Sequence, residues 1–246
     1  RGQNVNRPVQ SDPTVDHGGY SLKQVQDWKL KAVHKLNDWL PEGITLLGGR
    51  PKAGKSWLAE RASFEISKHC NVLHFSLEYN RVMLQERMRG YDSIRTNRLR
   101  LYCEGDLPKM HEGGKEKLRE HVENHQAELV VLDTFVKVKR PGDSQGYEAE
   151  YRAMEDLQWL RRQTDVSILV LHHTRKANNQ DEDIFDNLLG STALAAVPDN
   201  LLIFENRNKL LKLHGKGRMI EPFQLPLVWV NPGLDVDEPD AELREK

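Results

Sequence analysis

Cysteine is nearly absent from this chain. Its 246 residues include two, Cys70 and Cys103, far apart and without a CxxC pair. That argues against a disulfide scaffold or a thiol-rich metal module, and both read as reduced thiols. Long apolar runs are missing too, and none approaches the roughly 18–20 apolar residues that a membrane-spanning helix needs. Neither sign of charge is in excess. There are 36 Lys and Arg against 37 Asp and Glu, a net charge of −1. A nucleic-acid partner would have to be held by a local basic patch rather than by the field of the whole molecule. No basic-then-apolar leader opens the chain, and the first residue is Arg1 rather than Met. The expectation is a cytoplasmic protein without a membrane partner, read as a domain cut from a longer one.

The apolar residues that are present, 38% of the chain, fall into short runs. Residues 1–20 are polar, with Pro8, Pro13 and Gly18-Gly19, and read as a flexible N-terminal arm. Residues 21–40 place Leu22, Val25, Trp28, Leu30, Val33, Leu36, Trp39 and Leu40 at near-helical spacing, which predicts an amphipathic helix ending at Pro41. A main domain over 21–232 follows, and 233–246 read as an acidic tail. Within the domain, Ile44–Leu47, Val72–Leu77, Leu129–Leu132, Ile168–Leu171 and Leu201–Phe204 have the little-alternating pattern of strands buried on both faces of a parallel sheet. Helical patterns lie between them at Ser56–Lys68, Arg81–Arg89, Lys115–His125 and Glu148–Gln163. Alternation of this kind predicts an α/β fold with right-handed crossovers. After Leu201, the stretches Lys209–Leu213, Arg218–Ile220 and Phe223–Val230 predict an antiparallel extension of the sheet.

The chemistry begins at Gly49-Arg50-Pro51-Lys52-Ala53-Gly54-Lys55-Ser56, which fits GxxxxGK[ST] between a strand and a helix, with Trp57 continuing into the helix. Gly49 and Gly54 allow backbone conformations that a Cβ hinders. The loop's N–H groups then converge on phosphate oxygens at the positive end of the helix. In that arrangement Lys55 reaches the β/γ-phosphates of ATP and the Ser56 hydroxyl ligates Mg²⁺. Asp133 ends the apolar run Leu129–Leu132, at the sheet edge where α/β proteins bind ligands, and is a second group for the Mg²⁺ shell. The residue after it is Thr134, not a glutamate. Glu78, in Phe75-Ser76-Leu77-Glu78, is the carboxylate available to accept a hydrogen bond from attacking water.

Taken together, GRPKAGKS, FSLE, LVVLDT, LVLHHTRK and the later GSTAL resemble the RecA-fold ATPases, over roughly Leu40 to Val230. More narrowly they resemble the RepA-type hexameric helicases of plasmids, phages and mobile elements, and more distantly the DnaB-type helicases. The resemblance implies a RecA-like P-loop fold with a mostly parallel central sheet, and a strand carrying Glu78 beside the P-loop strand. It also implies a homo-oligomeric, hexameric ring. His173 would sense the γ-phosphate, with His172 weaker because adjacent strand residues point to opposite faces. Arg218, and second Lys216, would form a basic finger that reaches a neighbour's nucleotide. The loops at 137–146 and 174–189 would face a central channel, where Lys137, Lys139, Arg140, Arg175 and Lys176 would track single-stranded DNA. The activity implied is that of an ATP-driven DNA helicase in replication, with a primase or other replication protein as a further partner. Two alternatives stay open: a RecA-like DNA-binding ATPase that does not unwind, and a P-loop small-molecule kinase, for which Arg87, Arg89, Arg95, Arg98 and Arg100 would have to serve as a lid.

Overall fold

The computed structural model describes residues 20–27, 36–91, 96–139, 147–174, 184–188, 197–207, 210–218 and 220–237. Two units are distinct, Arg1–Ala32 and Val33–Lys246. In the first, helix α1 (Leu22–Gln26) starts at Ser21, whose hydroxyl accepts from the Gln24 N–H while the Gln24 side chain accepts from the Ser21 N–H. This reciprocal cap satisfies two orphan donors.

The second unit is built on one nine-stranded sheet. Its strands are β1 (Ile44–Gly49), β2 (Val72–Ser76), β3 (Leu99–Tyr102), β4 (Leu129–Asp133), β5 (Ser167–His173), β6 (Asn200–Arg207), β7 (Leu210–Gly217), β8 (Phe223–Trp229) and β9 (Leu234–Val236), and they lie in the order β3-β2-β4-β5-β1-β6-β7-β8-β9. Strands β1 to β6 are parallel; β7, β8 and β9 run on antiparallel. The helices are α2 (Lys55–Ile66), α3 (Arg81–Met88), α4 (Gly114–His125) and α5 (Tyr147–Thr164).

Alternation along the strands divides the core in two. Leu73, Phe75, Val130, Leu132, Ile168 and Val170 pack with Leu118 and Val122 of α4 and with Met154, Leu157 and Leu160 of α5. Leu47, Val131, Leu169, Leu171, Leu202 and Phe204 pack with Leu58, Ala59, Ala62 and Ile66 of α2. The crossover through α2 runs outward from β1 to β2, whereas those through α4 and α5 run back toward β1. A fixed right hand therefore puts them on opposite faces. Among the described residues, no helix is long and apolar enough to cross a membrane.

Several expectations need correction. Strand β2 does not neighbour β1, since β4 and β5 lie between them. The predicted helix over 21–40 does not extend to its end: residues 36–40 form bends, with the Leu36 N–H bonded to the Leu40 carbonyl. Arg218–Ile220 is not a strand, because β7 already ends at Gly217. Leu234–Val236 is a strand rather than the start of a tail, and it packs on α2, with Asp235 paired to Arg61 at 3.0 Å. Strand β3 was not expected; its Leu-Arg-Leu-Tyr pattern is that of a half-covered edge. Residues 1–19, 28–35 and 238–246, together with the GSTAL stretch, lie outside the described residues.

Candidate functional site

The loop between β1 and α2 is shaped by its backbone. Gly54 has φ 124°, a region that L side chains avoid. A Cβ on it would lie 2.8 Å from Leu234, and one on Gly49 would lie 2.9 Å from the Phe204 carbonyl oxygen. Lys52 turns the loop with φ 60°. Arg50, Pro51, Lys52 and Ala53 thus form a bend between two positions that only glycine fits, ahead of the helix N-terminus.

Lys55 folds back into this bend. Its ammonium donates to the carbonyls of Gly49 and Arg50, both at 2.9 Å, and lies 3.2 Å from His173 Nδ1. Burial lowers it to about 8, against the opposing pull of the Asp133 and Glu78 carboxylates. The β1–β5 register sets Gly49 opposite His173, which brings the histidine to the root of the loop. His173 Nε2 is 3.8 Å from Glu78 Oε1. Burial and the Lys55 charge hold His173 below the ordinary histidine range, with Glu78 opposing. His172 points to the other face, edge-on to Phe135. Glu78 reaches this cluster although β2 is remote from β1, because the chain continues two residues past the strand end.

Asp133 ends β4 on the face turned toward α2. It is buried and bonded to the Ser56 hydroxyl, and burial raises it to about 6, above its usual 3.8. Lys55, Arg87 and Glu78 are the charges around it. Ser56 and Asp133 therefore offer adjacent hard oxygen donors, with the buried Ser76 hydroxyl, which has no hydrogen-bond partner, at the neighbouring position of β2. That donor set suits Mg²⁺, and Ser56 and Asp133 are the residues that would hold it.

The sign of the Asp133 shift gives a prediction. A carboxyl raised in the folded state contributes stability that is complete below about pH 3.8 and lost as pH rises through about 6. At pH 8 the ionised, buried group opposes folding. Asp133→Asn is expected to raise the melting temperature of the nucleotide-free protein at pH 8 by about 2–8 °C, with the gain shrinking at pH 5. Calorimetry at the two pH values checks it; equal melting temperatures at pH 8 would count against the shift.

The sequence did not point to the group behind this site. Glu60, fully buried on α2, accepts from Arg87 Nε at 2.7 Å and from the Tyr79 hydroxyl at 3.2 Å. Burial raises its carboxyl to about 7 despite Arg87. The Arg87 guanidinium also lies 3.0 Å from the centre of the Trp57 ring, and Trp229 meets Trp57 edge-on at 6.1 Å. The signal was available: a glutamate stands four residues after Ser56, between Ala59 and Ala62 on a helix side that is otherwise apolar.

The basic finger is elsewhere. Arg218 follows Gly217, which pairs with Asn200 at the start of β6. Its N–H bonds to the Asp199 carbonyl at 3.0 Å, and Asp199 in turn accepts from the Ile44 N–H at the start of β1. The finger and the P-loop thus stand at opposite ends of β1, about 17–20 Å apart. Lys216 lies over the Phe185 ring at 4.2 Å. Of the expected DNA contacts, Lys137 is partly exposed, 3.7 Å from Glu104. Lys139 is a correction. It is buried, with its ammonium 5.4 Å from the Phe135 ring centre, because this segment folds back onto the core after β4. Arg140, Arg175 and Lys176 lie outside the described residues. Of the arginines a kinase lid would need, Arg87, Arg89 and Arg98 are engaged by Glu60, Glu86 and the Lys68 carbonyl.

A parallel sheet with a P-loop after β1, a buried aspartate at the tip of β4 and an antiparallel extension define a RecA-like P-loop ATPase. The AAA domain family matches residues 23–179, and the chain belongs to that family. It is similar to the DNA repair protein RadA of Streptococcus pneumoniae (strain ATCC BAA-255 / R6), 26% identical over 169 residues, covering 68% of this chain and 36% of that protein. The RadA of Streptococcus pyogenes serotype M6 is 23% identical over the same length, with 34% of it covered. The chain therefore spans about a third of the curated relatives it matches. Among solved structures, a helicase ATPase domain superposes with a TM-score of 0.64 at 13% identity, covering 78% of this chain and 82% of that one.

Proposed function

We propose that this chain is the motor domain of an ATP-driven ring, a hexameric helicase or translocase acting on single-stranded DNA in the replication of a plasmid, phage or mobile element, as in the RepA-type group. The observation that carries this reading is the separation of the P-loop from Arg218 along β1. Neither end is a complete hydrolytic site, and a head-to-tail contact between copies joins the two. In the complete site the loop N–H groups and Lys55 bind the phosphates, Ser56 and Asp133 hold Mg²⁺, and Glu78 orients the attacking water. Bound Mg²⁺ supplies charge neutralisation at the phosphate oxygens. His173, touching both Lys55 and Glu78, relays the state of the γ-phosphate to the segment that starts at Thr174.

Polymer contact is assigned to Lys137 together with Arg140, Arg175 and Lys176. A second reading, a DNA-dependent ATPase that forms rings or filaments without unwinding, is favoured by the similarity to proteins named for DNA repair. Phosphate release and strand displacement on a forked duplex distinguish the two. ATP turnover stimulated by single-stranded DNA, with displacement, is the expected result. Stimulation without displacement selects the second reading, and turnover indifferent to DNA defeats both.

A further inference from the structure

The group formed by Glu60, Arg87, Tyr79 and Trp57 has no part in the chemistry just assigned, yet it lies against it. Glu60 is four residues beyond Ser56 on the same helix, so the two share a face. Its carboxylate has no exposed surface. A carboxylate in such a place is unfavourable unless it is paired, and an apolar residue of similar size would often serve stability as well or better. Stability therefore does not account for it.

Its partners suggest what does. One carboxylate oxygen accepts from the hydroxyl of Tyr79, the residue after Glu78, and the other from Arg87, near the end of α3. Helix α3 buries none of its side chains, and Val82 and Met83 on it are exposed at 68% and 49%. Apolar packing does not fix this helix or the turn before it. The turn is held by backbone bonds, Tyr79 N–H to Ser76 O at 3.0 Å and Glu104 N–H to Tyr79 O at 2.8 Å, and by the two bonds to Glu60. Arg87 adds a second hold by stacking on Trp57, the neighbour of Ser56.

We propose that Glu60 is a positioning residue for hydrolysis: through Tyr79 and Arg87 it clamps the turn that carries Glu78 to the P-loop helix, fixing the distance between the water-orienting carboxylate and the Ser56–Asp133 pair. The proposal rests on the ATPase reading above. A misplacement of about 1 Å at a reacting group can lower a rate on the order of 10²-fold, so the clamp acts on turnover and not on phosphate binding.

The test measures steady-state phosphate release and equilibrium binding of a fluorescent ATP analogue for the unsubstituted chain, Glu60→Gln, Tyr79→Phe, Glu78→Gln and the double variant Glu60→Gln/Glu78→Gln. Glu60→Gln is expected to lower kcat by about 10–100-fold, with the dissociation constant within about twofold. Tyr79→Phe, which removes one hydroxyl, changes it in the same direction by about 3–10-fold and serves if Glu60→Gln does not fold. On the Glu78→Gln background, Glu60→Gln is expected to lower kcat by less than about twofold, because residues acting as a unit are not additive. An equal loss on both backgrounds overturns the proposal, as does unchanged kcat in both Glu60→Gln and Tyr79→Phe. If the unsubstituted chain turns over no ATP, the ATPase reading fails and the proposal with it. If it does turn over ATP and Glu60 proves indifferent, only the clamp is lost.

Discussion

Lys55→Ala is expected to abolish ATP turnover. The Lys55 ammonium is the cation of the P-loop bend, buried and held by two loop carbonyls at 2.9 Å. Alanine leaves those carbonyls facing phosphate oxygens with no cation between them. Loss of one such preorganised contact lowers a rate by about 10²–10³, and the weakened binding adds to it. The lowered Lys55 value of about 8 gives the result a pH signature. Phosphate favours the charged ammonium, so ATP affinity of the unsubstituted chain is expected to weaken as pH rises past about 8. Lys55→Arg, which stays charged, removes that dependence. Phosphate release and fluorescent-nucleotide binding between neutral and alkaline pH check both parts. Turnover by Lys55→Ala within tenfold of the parent would refute the assigned role.

Arg218→Ala is expected to keep nucleotide binding and lose about 10³–10⁵ in turnover, the range for an arginine that stabilises transition-state charge across an interface. Its position at the start of β1, remote from its own loop, is the reason binding is spared. Mixing gives the sharper test. A Lys55→Ala subunit has a sound finger and a dead cradle; an Arg218→Ala subunit has the reverse. Co-assembled, some interfaces join the sound cradle of one to the sound finger of the other. The mixture is therefore expected to regain a fraction of parental turnover that neither variant shows alone. Failure of the mixture to exceed the separate rates, with co-assembly verified by native mass, would rule out a finger acting between subunits.

Much of the fold could be read from the sequence because the core strands carry their own signature. Leu129–Leu132 and Ile168–Leu171 are apolar at every position since both faces are covered, and they run straight into Asp133 and His173. The same property hid β3, where Leu99-Arg100-Leu101-Tyr102 lies at an edge and alternates. Strand order was not legible: nothing in Phe75-Ser76-Leu77-Glu78 says that two strands separate it from β1. At the site, local motifs placed Lys55, Ser56, Asp133 and His173 where they meet. Glu60 was missed because its importance depends on Tyr79 and Arg87, 19 and 27 positions away, and no local pattern records such a pairing. Lys139 was misread for the converse reason. A basic residue after a strand looks like surface until its stem is seen against Phe135.

Strand β9 lies against the P-loop helix, with Leu234 over Gly54 and Asp235 bonded to Arg61 across 174 positions. The loop that defines the protein is made early in synthesis, but one wall of it is made almost two hundred residues later. Contacts of that span close slowly, so a growing chain would expose a finished P-loop motif with no finished pocket around it. Competence to hold nucleotide is then among the last properties the polypeptide acquires, and a ribosome stalled before Leu234 would leave a domain with its signature sequence intact and its pocket open on one side.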